Sequence, residues 1–168
     1  MILCSLAACQ TLEYFRYATY LDPNYEYSIS HPRSWEVKEG GNLGAQVVFL
    51  APEKNQVFRS NGNIVVASQS ENDLRTLADQ TISQLKFVLN NYEVISQVSK
   101  SIGTISEGIE IRGRYQGNEG VRIIRTILAK QAPFTYVFTF TCGANEDRDF
   151  SPIIKHMMES FRPAPQAQ

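Results

Sequence analysis

The sequence predicts an α+β protein in which a central antiparallel β-sheet is sandwiched between helices. Three observations lead to this fold class. Short segments with the alternating pattern of strands come first, one long amphipathic helix follows them, and four more strand segments precede a final helix. Strands joined by short connections must run antiparallel, and strands and helices that are segregated along the chain are typical of α+β domains.

An aromatic alternation marks the first strand. Tyr25, Tyr27 and Ile29 occupy every second position, which is the period of a strand with one buried face. Pro32 has no backbone donor, so we expect the chain to turn there. Trp35 is then expected to open a second strand from a buried position. Two more short strands are predicted over residues 46–50 and 63–69, each after a glycine-containing turn.

The long helix is predicted over residues 74–89. Its apolar side chains recur at i, i+3, i+4 and i+7 and form one continuous stripe. Asn72 is the predicted N-cap, and Asp73 favours the helix dipole from the first turn. Because the stripe is apolar along its whole length, we expect it to lie on one face of the sheet.

Four strands are predicted next, over residues 93–99, 108–115, 121–130 and 134–142. A loop over residues 116–120 makes the middle two a hairpin, and residues 131–133 join the last two. Ser151 and Pro152 are predicted to cap and open the final helix. The predicted core comprises Trp35, Leu74, Leu77, Leu85, Val88, Ile109, Ile111, Ile123, Phe138, Phe140 and Phe161.

Composition narrows the classes of function. The 168 residues suit one domain, expected to be a monomer, and the 16 basic and 17 acidic residues give no net charge that would attract nucleic acid. We therefore expect no nucleic-acid partner. No stretch approaches the roughly 20 apolar residues that cross a bilayer. Three cysteines at positions 4, 9 and 142 fit neither a zinc ligand set nor a disulfide framework.

The first nine residues form an expected signal segment. Leu6-Ala7-Ala8-Cys9 resembles a bacterial lipobox, in which the peptidase cuts before a lipid-bearing cysteine. The resemblance implies lipid attachment at Cys9 and an envelope location. Two features depart from a signal peptide, namely the missing basic residues and the short apolar run. The alternative is a fortuitously apolar N-terminus.

Residues 10–22 form an aromatic connector, with Tyr14, Phe15, Tyr17 and Tyr20. This composition is unlike that of a flexible tether, so we expect the connector to pack against the domain. Contact with a membrane surface or a partner is the alternative.

The first strand and the end of the last helix resemble the PsbP-like domain family. The opening signature, a tyrosine, then Ile29, Pro32 and Trp35, matches the start of that domain, and Glu159-Ser160-Phe161-Arg162 matches its closing "Ser-Phe" helix. The resemblance covers residues 23–162 and leaves residues 163–168 as a disordered tail. It implies an α/β/α sandwich.

For function, the resemblance implies a non-catalytic, exported lipoprotein that binds another protein or assists its assembly. In a phototroph that protein would be photosystem II on the lumenal side of the thylakoid, and elsewhere an unknown envelope partner. Two alternatives remain open. One is a cytosolic regulator like the Ran-binding nuclear import factor of the same fold, and the other is an envelope protein that binds a small ligand or a metal.

No set of residues indicates catalysis. His31 and His156 are the only imidazoles, and neither stands near a sequence typical of a nucleophile. His31 is expected to be structural and His156 to be solvated. Cys142 alternates with Phe138 and Phe140, so we expect a small buried hydrophobe rather than a reactive thiol. We therefore expect a protein that is not an enzyme.

Asn145, Asp147 and Asp149 have the i, i+2, i+4 spacing of oxygen ligands in a calcium loop. Phe150 stands where such a loop has its glycine, so a solvated turn is the preferred interpretation, and no metal or other cofactor is expected. The resemblance to PsbP relatives leaves weak calcium or manganese binding as the alternative.

Arg112, Arg114 and Arg122 are candidate partner-binding residues. With a five-residue loop over 116–120, Arg114 would lie opposite Arg122 and Arg112 would lie two residues along. Like charges across a sheet destabilise it, so such a cluster would attract an anionic surface on a partner. The preferred alternative is that nearby acids, such as Glu110, pair with these arginines.

Overall fold

The computed structural model describes residues 16–41, 44–53 and 58–164, in which two helices and nine strands are present. The strands are β1 (Tyr17–Leu21), β2 (Ser28–Pro32), β3 (Glu36–Glu39), β4 (Val47–Leu50), β5 (Asn61–Ser68), β6 (Glu93–Ile102), β7 (Ile105–Gly117), β8 (Gly120–Gln131) and β9 (Phe134–Gly143). The helices are α1 (Leu74–Val88) and α2 (Asp147–Ser160).

Seven strands form one sheet in the order β3-β4-β5-β9-β8-β7-β6, and all neighbours are antiparallel. The remaining two, β1 and β2, pair with each other as a separate hairpin. This architecture confirms the predicted α+β class with a central antiparallel sheet.

The two helices lie on opposite faces of the sheet. Ile127 belongs to the core cluster that includes residues of α2, whereas the adjacent Leu128 belongs to the cluster under α1. Successive residues of a strand point to opposite faces, so α2 and α1 cover different sides. The β1–β2 hairpin lies on the α2 side, because buried Tyr20 and Ile29 join the same cluster.

The core under α2 is largely aromatic. Phe161 is fully buried, and its ring centroid lies 4.8 Å from that of Phe138 and 5.0 Å from that of Tyr136. The ring of Tyr27, the residue before β2, lies 5.7 Å from that of Phe161. Backbone hydrogen bonds between Ser28 and Arg162 in both directions, at 2.8 and 2.9 Å, attach the end of α2 to β2. The opening and closing motifs of the sequence therefore meet in space.

The apolar side chains of α1 are less buried than the sequence predicts. Ala78 is the buried residue of α1, while Leu74, Leu77 and Leu85 are half-buried. Val88 was predicted to be in the core, and this is wrong, since 67% of its surface is exposed. The last turn of α1 borders an open cavity of about 430 Å³ instead of the sheet, which leaves Val88 in contact with solvent.

Both predicted helix starts need correction. Asp73, not Asn72, caps α1, because its Oδ1 accepts a hydrogen bond from the backbone N–H of Thr76 at 2.7 Å. The second helix begins at Asp147, so Pro152 lies inside it rather than in its first position. Asp147 and Asp149 in the first turn favour this earlier start through the helix dipole.

The predicted boundary between connector and domain, at residues 22 and 23, lies inside the β1–β2 hairpin. Residues 17–21 of the predicted connector therefore form strand β1. The signal segment 1–9 and residues 10–15 lie outside the described residues, as do residues 165–168 of the predicted tail.

Candidate functional site

The register of the β7–β8 hairpin separates the predicted arginine cluster. Residues 118 and 119 alone form its loop, and Gly117 pairs with Gly120. Arg114 therefore lies opposite Ile123, and Arg122 lies opposite Tyr115. The predicted Arg114–Arg122 pair is wrong, because the loop has two residues rather than five. The pairing shifts by one residue, which puts Arg122 on the α1 side and Arg114 on the α2 side.

Arg112 instead lies opposite Arg125, and both bind one carboxylate. The Arg112 guanidinium lies 2.5 Å from Oδ2 of Asp147, and that of Arg125 lies 2.7 Å from Oδ1. Arg125 also donates to Ser151 Oγ and lies 3.5 Å from Glu110. The result is a largely buried ion network that joins the first turn of α2 to the sheet.

The network sets the protonation of Asp147. Burial would raise the pKa of this carboxyl, but hydrogen bonds and charge from Arg125 and Arg112 outweigh burial and hold the pKa below its usual value. Asp147 is the central residue of the Asn145, Asp147 and Asp149 set, and each of its carboxylate oxygens already accepts a hydrogen bond from an arginine. Within residues 16–41, 44–53 and 58–164, no three His, Cys, Asp or Glu side chains form a metal-ligand group.

The other two predicted arginines also pair within the chain. Arg114 makes two hydrogen bonds to Oε2 of Glu93, at 2.7 and 2.9 Å, with both side chains more than half exposed. Arg122 is 3.2 Å from Glu119, and its guanidinium lies 4.2 Å above the Phe58 ring. The three arginines thus have separate acidic partners, as the preferred alternative expected, although Glu110 pairs with Lys100 and Arg125 instead.

Cys142 is a buried thiol on the α2 side of β9. Burial, together with the charge of Asp147, raises its pKa to about 12. The thiolate, which is the reactive form, is therefore scarce at neutral pH. This agrees with the expectation of a small buried hydrophobe.

We expect native Cys142 to resist iodoacetamide at pH 8, because only about one thiol in 10,000 is ionised there and the sulfur is covered. The measurement is labelling followed by mass analysis in a variant with Cys4 and Cys9 replaced by Ser. The same variant in guanidinium chloride should label completely. Rapid labelling of the folded protein would contradict the expectation.

The two histidines have structural contacts. His31 is buried, its Nδ1 donates to the Pro32 carbonyl at 3.0 Å, and burial lowers its pKa. The ring of His156 stacks on Tyr17 of β1, with centroids 3.7 Å apart. The prediction that His156 is merely solvated is therefore wrong, because the β1–β2 hairpin covers that side of α2.

Exposed apolar side chains at the margin of the sheet were not predicted as functional. The outer strand β6 exposes Val94, Ile95 and Val98, and 91% of Phe87 on α1 is exposed. Two adjacent apolar residues, Val94 and Ile95, interrupt the strand alternation in the sequence. This interruption could have indicated the exposed apolar edge, and it coincides with a bulge between β6 and β7. A groove of about 680 Å³ lies between the start of α1 and the β6–β7 turn, and none of these four residues lines it.

None of the described helices has the length and apolar character needed to cross a membrane. No protein-family profile and no curated sequence matches the chain.

Solved structures match it closely in fold. Cyanobacterial PsbP (CyanoP) from Synechocystis sp. PCC 6803 superposes with a TM-score of 0.70 at 11% identity, covering 89% of this chain and 94% of that one. LpqN of Mycobacterium tuberculosis, described as involved in cell envelope biogenesis, gives 0.67 at 12% identity, covering 92% and 96%. The Saccharomyces cerevisiae Ran-binding protein Mog1p gives 0.62 at 8% identity, covering 89% and 96%. The chain therefore has the PsbP-like fold that these three proteins share.

Proposed function

We propose that the protein is exported, anchored to a membrane through an acylated Cys9, and works by non-catalytic contact with another protein. The non-catalytic part of the proposal is supported by the potentially reactive side chains among the described residues, which are buried or bound by other side chains of the same chain. His31 and Cys142 are buried, and Asp147 is bound by two arginines. The lipobox-like Leu6-Ala7-Ala8-Cys9 supports the anchor.

The neighbours in fold support an envelope location and a binding role. LpqN is described by its part in cell envelope biogenesis, and Mog1p by its binding of Ran. The sequence resemblance to the PsbP-like family implies photosystem II as the partner in a phototrophic host. The partner-binding role of Arg112, Arg114 and Arg122 stays a prediction. Arg114 is the clearest of the three to test, because the other two hold the sheet to α2 and to Phe58.

Fractionation of the native host tests the anchor. We expect the wild type in the membrane fraction, with residues 1–8 absent and a diacylglycerol on Cys9 by mass analysis. Cys9→Ala should be recovered as a soluble or uncleaved form, because its side chain cannot accept the lipid. Cys4→Ala is the matched control and should behave as the wild type.

A cytosolic wild type that keeps Met1 would contradict the anchor. It would favour the alternative of a cytosolic regulator similar to Mog1p. Binding of a small ligand in the groove beside α1 is the remaining alternative, and a ligand that copurifies with the domain would support it.

A further inference from the structure

We infer that the layer formed by α2 and the β1–β2 hairpin faces the membrane, and that anionic lipid headgroups contact its basic corner. The basic corner comprises Arg16, Arg33 and Lys155. This inference rests on the proposed function, since it requires the acyl chains on Cys9. It adds the orientation of the domain and the lipid chemistry that the domain meets.

The length of chain before β1 restricts the orientation. Cys9 and Arg16 are seven residues apart, so even a fully extended chain spans roughly 25 Å between them. A compact domain of this length is roughly 40 Å across, by the scaling of radius of gyration with chain length. The tether is shorter than the domain is wide. The surface where the chain enters the domain must therefore lie close to the headgroups.

The chain enters beside a group of cations. The N–H of Arg33 donates to the carbonyl of Arg16 at 2.9 Å, which brings these two exposed residues together at one end of the hairpin. The Tyr17–His156 stack brings the middle of α2 to the same end, with exposed Lys155 next along the helix. Lys155 has an acidic neighbour, Glu159, at 3.7 Å.

The positive charge of the basic corner is complementary to an anionic membrane surface. Exposed cations near such a surface each contribute to binding, and tyrosines are enriched at membrane interfaces. Tyr17 is half-buried at this corner. The opposite layer, α1, lies on the far face of the sheet and is directed away from the bilayer in this orientation. The exposed Phe87 and the outer strand β6 are then left accessible to a protein partner.

Energy transfer to labelled lipid headgroups tests the orientation in the acylated protein, which begins at Cys9, on vesicles. The donor dye is attached through Ser34→Cys, in the exposed turn of the basic corner, or through Gln84→Cys, exposed on α1. Cys142 is buried and Cys9 carries the lipid, so neither competes for the dye. We expect at least twofold more transfer from position 34 than from position 84.

Lipid composition and charge removal test the headgroup contact. On phosphatidylglycerol vesicles, Arg16→Gln with Arg33→Gln should lower the ratio of docked to undocked protein about fivefold for each charge. On phosphatidylcholine vesicles the same variant should match the wild type. Arg75→Gln with Lys86→Gln, two exposed cations of α1, is the matched control and should have no effect on either lipid.

The outcomes separate the two proposals. Absence of the diacylglycerol by mass analysis overturns the proposed function itself. Equal transfer from positions 34 and 84 in acylated protein overturns the orientation and leaves the anchor intact. Wild-type transfer that is the same on both lipids overturns the headgroup contact, and this measurement requires no variant of the arginines to fold.

Discussion

Replacing Trp35 by Ala lowers the free energy of unfolding by roughly 3–5 kcal/mol, which is the range for emptying a buried aromatic site. Only 5% of Trp35 is exposed, and its ring lies 5.5 Å from that of Phe150 at the start of α2. The backbone N–H of Trp35 also donates to the Pro32 carbonyl at 2.9 Å, so the side chain is fixed just after a tight turn. Removing the ring leaves a cavity beside Phe150 in the core on the α2 side of the sheet.

Denaturant unfolding measures this loss directly. Leu21→Ala is the control, because 64% of Leu21 is exposed and its loss should be within about 0.5 kcal/mol of zero. If Trp35→Ala cost less than about 1 kcal/mol, Trp35 would not be part of the core and would become a candidate contact for a partner.

Replacing Asp147 by Asn costs roughly 2–4 kcal/mol, because two guanidinium groups then keep their burial without the charge that balances them. The cost is below the full range for a completely buried pair, since the side chain of Arg112 is 32% exposed. Glu110 lies 3.5 Å from Arg125 and still neutralises part of the arginine charge in the variant. Asn has nearly the shape of Asp, so the change removes charge rather than packing.

This contribution depends on pH. The pKa of Asp147 is lowered in the folded protein, so its stabilisation is present above the unfolded pKa of about 3.9 and is lost as pH falls through the lower, folded value. The wild type should therefore lose stability below about pH 4 more steeply than Asp147→Asn. Glu93→Gln, from an exposed pair, should cost at most about 1 kcal/mol. An equal loss from both variants would show that the network contributes no more than a surface ion pair.

The alternation of single residues predicted much of the core. Ile111 and Phe138 were predicted from strand alternation and are buried, as are Trp35 after the Pro32 turn and Phe161 at the end of the last helix. The same pattern predicted the later strands, but it missed β1, which lies in the predicted connector. Local sequence carries this information because the side chains of a strand must alternate between faces.

Pairing between strands was harder to predict. The loop of the β7–β8 hairpin could hold two or five residues, since Gln116 and Gly117 are compatible with either a strand or a loop. The structure settles on two, with Gly120 at a φ of +111°, a conformation that glycine adopts without strain. One residue of register decides which face each arginine occupies, so the candidate cluster could not be placed from the sequence.

The Asp147 network depends on contacts between distant segments. Asp147 and Arg112 are 35 residues apart and meet only because α2 folds back over the sheet. A pattern that pointed to calcium ligands was thus the first turn of a helix, and its central carboxylate binds two arginines. The position of α2 on the sheet determines that Asp147 binds arginines, and the local spacing of residues does not encode this contact.

The helix α1 contributes few buried side chains to the core, and this affects the dynamics of the fold. Within α1 only Ala78 is buried and four larger apolar side chains are half-buried, whereas β8 and β9 are buried along most of their lengths. Segments with few buried contacts open without global unfolding. We therefore expect α1 to detach in a partially folded state that uncovers Ile111 and Leu128 while the seven strands stay paired. In a hydrogen-exchange measurement, the amide protons of α1 should exchange through this state, before those of β8, which should exchange only when the whole sheet separates.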